Sequence, residues 1–256
     1  MESISLTSVA KSLGYTGIVE EVYKSNHPDV IKWTKYFHDL ICKRKIFENL
    51  SDLLPADVLT ARIVATGWHA FSDFMPWFLC QAASMVSNNL TRHYVIQTVF
   101  EELGMRDYRQ IHADMFWSAA QSIGINSHEN FILKEDGELK KSLNYLKSRL
   151  LSYSYDMQIM GILLGLEMPA IENIETIYSG MSYDNESALI LENSLFFKIH
   201  REVEVEHVRL TVSNFLRFKK SNQDTNDFIN GFQDGVCFWN KFWCGIKNYI
   251  LLLKTS

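Results

Sequence analysis

Four prolines and twelve glycines punctuate 256 residues, and this scarcity of helix breakers limits the available folds more than any other feature. Inside a helix, glycine costs about 1 kcal/mol and proline about 3 kcal/mol relative to alanine. Between these breakers run long stretches with apolar residues at steps of three and four, the period of a buried helical face. The expectation is an all-α chain. His27-Pro28-Asp29 opens a helix to about Leu50, and Pro55-Ala56-Asp57 opens a second that continues past Val86, with Pro76 expected to kink it. A third spans about 89–104. Asp107-Tyr108-Arg109-Gln110 has the form of a capping box and starts a run to Gly124. After a polar stretch, an amphipathic segment covers about 138–167, stopped by Pro169. A short helix near 169–180, one from the 182–187 loop to about Arg217, and an aromatic-rich one over 225–253 complete the pattern. No repeat or long linker divides the chain. The expected architecture is one domain, 1–256, with about seven helices and a sizeable core.

Charge and composition exclude several function classes. The net charge of −5 comes with no basic block or stripe, which argues against a nucleic-acid partner. No apolar run reaches the roughly 18 residues of a membrane span, and the best stretch, 74–86, is short and holds Gln81. The N-terminus lacks a basic region followed by an apolar one, so a cytoplasmic protein is expected. Four cysteines, Cys42, Cys80, Cys237 and Cys244, are too few for a disulfide scaffold and match no zinc spacing. They read as buried reduced thiols.

Three ligand-type side chains then stand out. His200, Glu204 and His207 lie at steps of four and three, within one sector of a helix. Leu191, Leu195, Phe196, Val203 and Leu210 put that sector on or beside a buried face. Imidazole with carboxylate suits iron, manganese or zinc rather than calcium or magnesium. A bundle must supply further ligands from facing helices. Glu101-Glu102-Leu103-Gly104 places two acids at the negative end of a helix dipole, and Glu167 closes the apolar run 160–169. Such positions disfavour an anion unless a cation lies nearby. His112 shares a side with Ile111, Met115 and Phe116, and a bend at Gly104 would let Glu102 and His112 both aim inward. Three histidines and three carboxylates suffice for two metals. Glu101 remains an alternative to Glu102.

The segments 100–104 and 112–116, then 161–167, then His200-x3-Glu204-x2-His207, resemble the haem-oxygenase-like diiron oxidases and oxygenases. That family is related to the chlamydial death-domain-associating protein and includes amine N-oxygenases and enzymes that cleave fatty or amino acids. The resemblance covers about 60–215. It implies a seven-helix haem-oxygenase-like bundle binding two non-haem irons, with manganese or a mixed pair using the same ligands. By position, Glu102, His112 and His200 would hold one metal, and Glu167, Glu204 and His207 the other. The six would form the catalytic centre of an oxidoreductase acting on dioxygen and a small molecule, and a homodimer is compatible with this. Glu204 departs from the aspartate frequent in relatives. Arg62, Arg92 and Arg201 are candidates to hold a substrate carboxylate, and Asp114 and Tyr108 to orient His112. Trp68, Phe71, Met75 and Phe78 fit a core stripe first and a pocket wall second. His38, His69 and His93 read as surface or satisfied core histidines.

A ferritin-like centre would want a second Glu-x-x-His motif, and the chain has one. The rival readings are a non-catalytic helical interaction protein with a structural or vestigial metal site, and a metal-independent enzyme like thiaminase II, which depends on a catalytic cysteine.

Overall fold

The computed structural model describes residues 27–43, 56–134 and 137–255, with the backbone alone at 130, 131, 201–207 and 210. Among them are ten α-helices and no strand, so the all-α expectation holds. The helices are α1 (Pro28–Cys42), α2 (Val58–Met85), α3 (Asn89–Glu102), α4 (His112–Ser122), α5 (Glu138–Leu151), α6 (Asp156–Glu167), α7 (Ala170–Met181), α8 (Asn185–Asn193), α9 (Leu195–Phe218) and α10 (Asn222–Lys254).

Local chemistry sets the boundaries. Asp57 caps α2 by accepting from Thr60 N at 2.7 Å, and reciprocal capping boxes start α8 at Asp184/Ser187 and α10 at Ser221/Asp224. Each cap satisfies amide donors that a first turn leaves unpaired. Two expected runs are divided. The 138–167 segment breaks at 152–155, and the segment leading to Arg217 breaks at Ser194, whose extended backbone and hydroxyl begin α9. The supposed capping box at Asp107 starts only a 3-10 turn, Tyr108–Gln110. Asp107 spends its carboxylate on Arg109, at 2.8 Å from the guanidinium. Ile111 is then non-helical (φ −57°, ψ 123°), so α4 begins at His112. Pro76 lies inside α2 without ending it. The expected extension of α1 toward Leu50 falls outside the described residues.

The core is aromatic and centred on α10. Phe228, Phe232, Phe238, Trp239, Phe242 and Trp243 are all buried, and burying each ring stabilises by about 1.5–3 kcal/mol. Trp68 of α2 stacks on Trp239 with centroids 5.6 Å apart and planes 12° apart. Trp68, Phe71, Met75 and Phe78 are buried, as their period indicated.

α6 and α10 pack backbone to backbone. Gly161 and Gly165 on α6 meet Gly231 and Gly235 on α10. A methyl group at Gly161 would collide with the Phe228 carbonyl, one at Gly231 with the Gln158 carbonyl, and one at Gly235 would stand 2.7 Å from the Ile162 oxygen. Only glycine permits this approach. The seam carries α6 to its last residue, Glu167, beside Trp239, whose Nε1 donates to the Leu166 carbonyl at 3.1 Å.

Two expectations fail at the surface. Cys42 and Cys80 are exposed rather than buried, because each lies on the outward side of its helix, and Cys237 and Cys244 are only half-buried. Leu195 is exposed at the first turn of α9, while Leu191 and Phe196 are buried. Val203 and Leu210 have side chains outside the described residues. No described helix is long and apolar enough to cross a membrane.

Candidate metal centre

The chain between α3 and α4 reverses through two left-handed residues, Gly104 (φ +79°) and Met105 (φ +55°). Gly104 tolerates no side chain here, since a methyl group would lie 2.7 Å from the Gln110 carbonyl carbon. This bend sets the last residue of α3 against the first of α4, with Glu102 Oε2 3.3 Å from His112 Nδ1. The carboxylate sits at the negative end of one dipole and the imidazole at the positive end of another, each against its electrostatic preference as an ion. A cation beside the pair offsets that for the carboxylate.

His200 comes from α9 and is 8% exposed. Its ring meets His112 edge-on, with centroids 4.6 Å apart, and rests on Phe196 at 4.0 Å. His200 Nδ1 donates to the Phe196 carbonyl at 2.8 Å. A carbonyl only accepts, so Nδ1 carries the proton and Nε2 presents its lone pair, the state a metal requires.

Glu102, His112, Glu167 and His200, from four helices, line one cavity of about 60 Å³. Glu102 belongs to its lining and Glu101 does not. Trp68, Phe71, Met75, Phe196 and Trp239 form most of its apolar wall. Glu167 also lines a second cavity of about 60 Å³, with Thr91, Tyr94, Met160, Thr211 and Asn214. Positions 200, 204, 207, 211 and 214 repeat at steps of four and three along α9, one stripe of a helix surface. Its described members face these two cavities, His200 the first and Thr211 with Asn214 the second. Glu204 and His207 hold the intermediate positions, and their side chains lie outside the described residues. Among the described residues, no three His, Cys, Asp or Glu side chains group closely enough to hold an ion.

Other candidates fall elsewhere. Arg62 pairs with Glu129 at 2.8 Å, and Arg92 binds the Ala83 and Val86 carbonyls and Asn89. Neither lines the cavity, because each is committed to a helix end or loop. Arg201 has its side chain outside the described residues. Tyr108 is 78% exposed on its 3-10 turn, and Asp114 points outward near His69. Neither orients His112. His69 is satisfied by His128, their nitrogens 3.0 Å apart. No cysteine lines the cavity. Cys42 has His38 one turn away at 3.6 Å, on the exposed side of α1.

Sequence reasoning missed Asn173. It is fully buried on α7, lines the cavity, and accepts from Trp243 Nε1 at 2.8 Å. The available signal was a lone amide on the apolar stripe 170, 173, 174, 177, 181. Its Nδ2 and the buried Trp68 Nε1 make no hydrogen bond, and an unmade buried bond costs about 1–3 kcal/mol.

A family model described as iron-containing redox enzyme matches residues 64–240. A crystal structure of a CADD-like protein of unknown function from Nostoc punctiforme superimposes with a TM-score of 0.69 at 16% identity, covering 86% of this chain and 98% of that one. A second crystal structure of the same CADD-like protein gives 0.68 at 13% identity, covering 87% and 96%. At these identities the likeness concerns the fold. No curated protein matches.

Proposed function

Because the chain belongs to the family of iron-containing redox enzymes, we propose that it is a non-haem dinuclear iron oxidase or oxygenase. It activates dioxygen to oxidise a small organic substrate, by oxygenating an amine nitrogen or by oxidative cleavage of an amino or fatty acid. The observation that carries this reading is the convergence of Glu102, His112, Glu167 and His200 on one aromatic-walled cavity.

The donor set fits iron, mixing imidazole nitrogen with carboxylate oxygen. Glu102, His112 and His200 would hold one ion, and Glu167 with Glu204 and His207 the other. Manganese, alone or mixed with iron, suits the same donors. When bound, the iron pair supplies the electron transfer to dioxygen that these side chains cannot. A cavity of about 60 Å³ admits ions and a group of a few atoms rather than a porphyrin, which favours non-haem chemistry.

The chain's own contribution is geometric and electrostatic. The Phe196 carbonyl fixes the His200 tautomer. The Gly104 bend holds Glu102 on His112. Trp68, Phe71, Phe196 and Trp239 exclude bulk water, so polar groups inside act in a low dielectric.

The test is anaerobic loading of metal-stripped protein with ferrous iron, followed by desalting, metal quantification and exposure to oxygen. Retention of about two irons per chain is expected, with oxygen uptake and a transient visible absorption. One iron should leave first on dialysis against a chelator, because one ligand set depends on the short bend at Gly104. His200→Ala should lower retained iron by about one equivalent while the protein stays folded. Failure of the wild-type chain to retain any ferrous iron would overturn the reading.

A further inference from the structure

Two residues that line the cavity, Trp68 and Asn173, each carry a buried donor, Nε1 and Nδ2, with no acceptor. Trp68 is 7% exposed and Asn173 0%. The orientation of the Asn173 amide is not arbitrary. An indole N–H only donates, and Trp243 Nε1 lies 2.8 Å from Asn173 Oδ1, so turning the amide would set donor against donor. Nδ2 therefore faces away from Trp243. Trp243 also joins the two residues, since Trp68 stacks on it with centroids 6.4 Å apart and planes 21° apart. One donor comes from α2 and the other from α7, and both residues line the same cavity as Glu102, His112 and His200. Apart from Ser72 and the four acids and histidines, the rest of the lining is apolar, and no lysine or arginine belongs to it among the described residues.

Unmatched N–H groups at a mostly apolar wall select a ligand that brings its own acceptor. We propose that Trp68 and Asn173 form a neutral donor subsite for a carbonyl-type oxygen of the substrate, holding the remainder of that molecule toward Glu102, His112 and His200. This rests on the cavity being the substrate chamber. It narrows the substrate to small molecules that carry an sp² oxygen, in an amide, ketone or carboxylate, on a largely apolar frame. A simple alkylamine lacks the acceptor and is not held.

The experiment is a titration of the full-length, metal-free chain labelled with ¹⁵N-tryptophan, so its outcome does not depend on iron. The probes are acetamide, acetate and ethylamine, matched in size. The Trp68 indole signal is assigned by its loss in Trp68→Phe. Acetamide, acetate or both should move the Trp68 Nε1–H proton downfield and perturb Trp243, and ethylamine should move neither. A response to acetamide alone identifies a neutral carbonyl as the ligand group, and a response to acetate identifies a carboxylate. Trp68→Phe keeps an aromatic side chain and removes the donor. Asn173→Asp keeps the acceptor for Trp243 and removes the amide hydrogens. Each should weaken probe binding, read at Trp243, about fivefold to tenfold. Equal response to ethylamine, no response to either acceptor, unchanged affinity in both variants, or an internal water bound there that no probe displaces would each overturn the proposal. Iron retention by the same preparation would leave the metal reading standing in those cases.

Discussion

His69 and His128 show how burial sets the behaviour of single residues. Burial depresses both imidazoles below 6.5, and for His69 the neighbouring His128 adds to it, with Asp73 and Asp114 opposing. His128 also lies flat on Trp117, centroids 3.9 Å apart. One ring must donate and the other accept across their 3.0 Å contact, so protonating both breaks it. The unfolded chain takes up protons near the ordinary value and the folded chain only at lower pH. Stability is therefore full above about 6.5 and is lost as pH falls below that, through the depressed folded values. Melting temperature should drop between about pH 7 and pH 5, and His128→Gln should flatten that drop. A parallel pH profile in the variant would contradict the assignment. Residue identities at the cavity were partly legible. His200 followed from its apolar-flanked stripe, and Glu102 from its awkward place at a helix end. Asn173 did not, because its significance depends on Trp243, a partner 70 residues away.

Among elements, the α3–α4 bend matters most. Its reversal needs a left-handed residue at 104, where an L side chain is both strained and sterically blocked. Gly104→Ala should destabilise by about 1–3 kcal/mol and lower iron retention, because Glu102 and His112 would no longer meet. Urea unfolding measures the first effect and metal quantification the second. Stability loss without iron loss would separate the bend from the centre. Periodicity and prolines made the existence of most helices readable from sequence. The breaks at 152–155 and at Ser194 were not readable, since the apolar period continues across them and tertiary packing decides where the chain turns. The motif at Asp107 misled because an aspartate followed three residues later by glutamine looks the same whether it caps an α-helix or binds its neighbouring arginine.

At the scale of the whole molecule, the aromatic core and the glycine seam hold α6, α10 and α2 in one register. Gly231→Ala would force α6 and α10 apart against backbone rather than a yielding side chain. A loss of at least about 1–3 kcal/mol is expected, read as a lower urea midpoint. An unchanged midpoint would show that the helices can separate freely. The helical class was visible in the sequence, but the seam was not, because spaced glycines acquire meaning only when two such pairs face each other. Helices in backbone contact can neither slide nor rotate past one another, so the terminus of α6 is clamped like the fixed jaw of a vice. Any breathing that admits a guest must then come from the opposite jaw, where the nine-residue hinge between Glu102 and His112, and no interlocked rail, carries the other carboxylate.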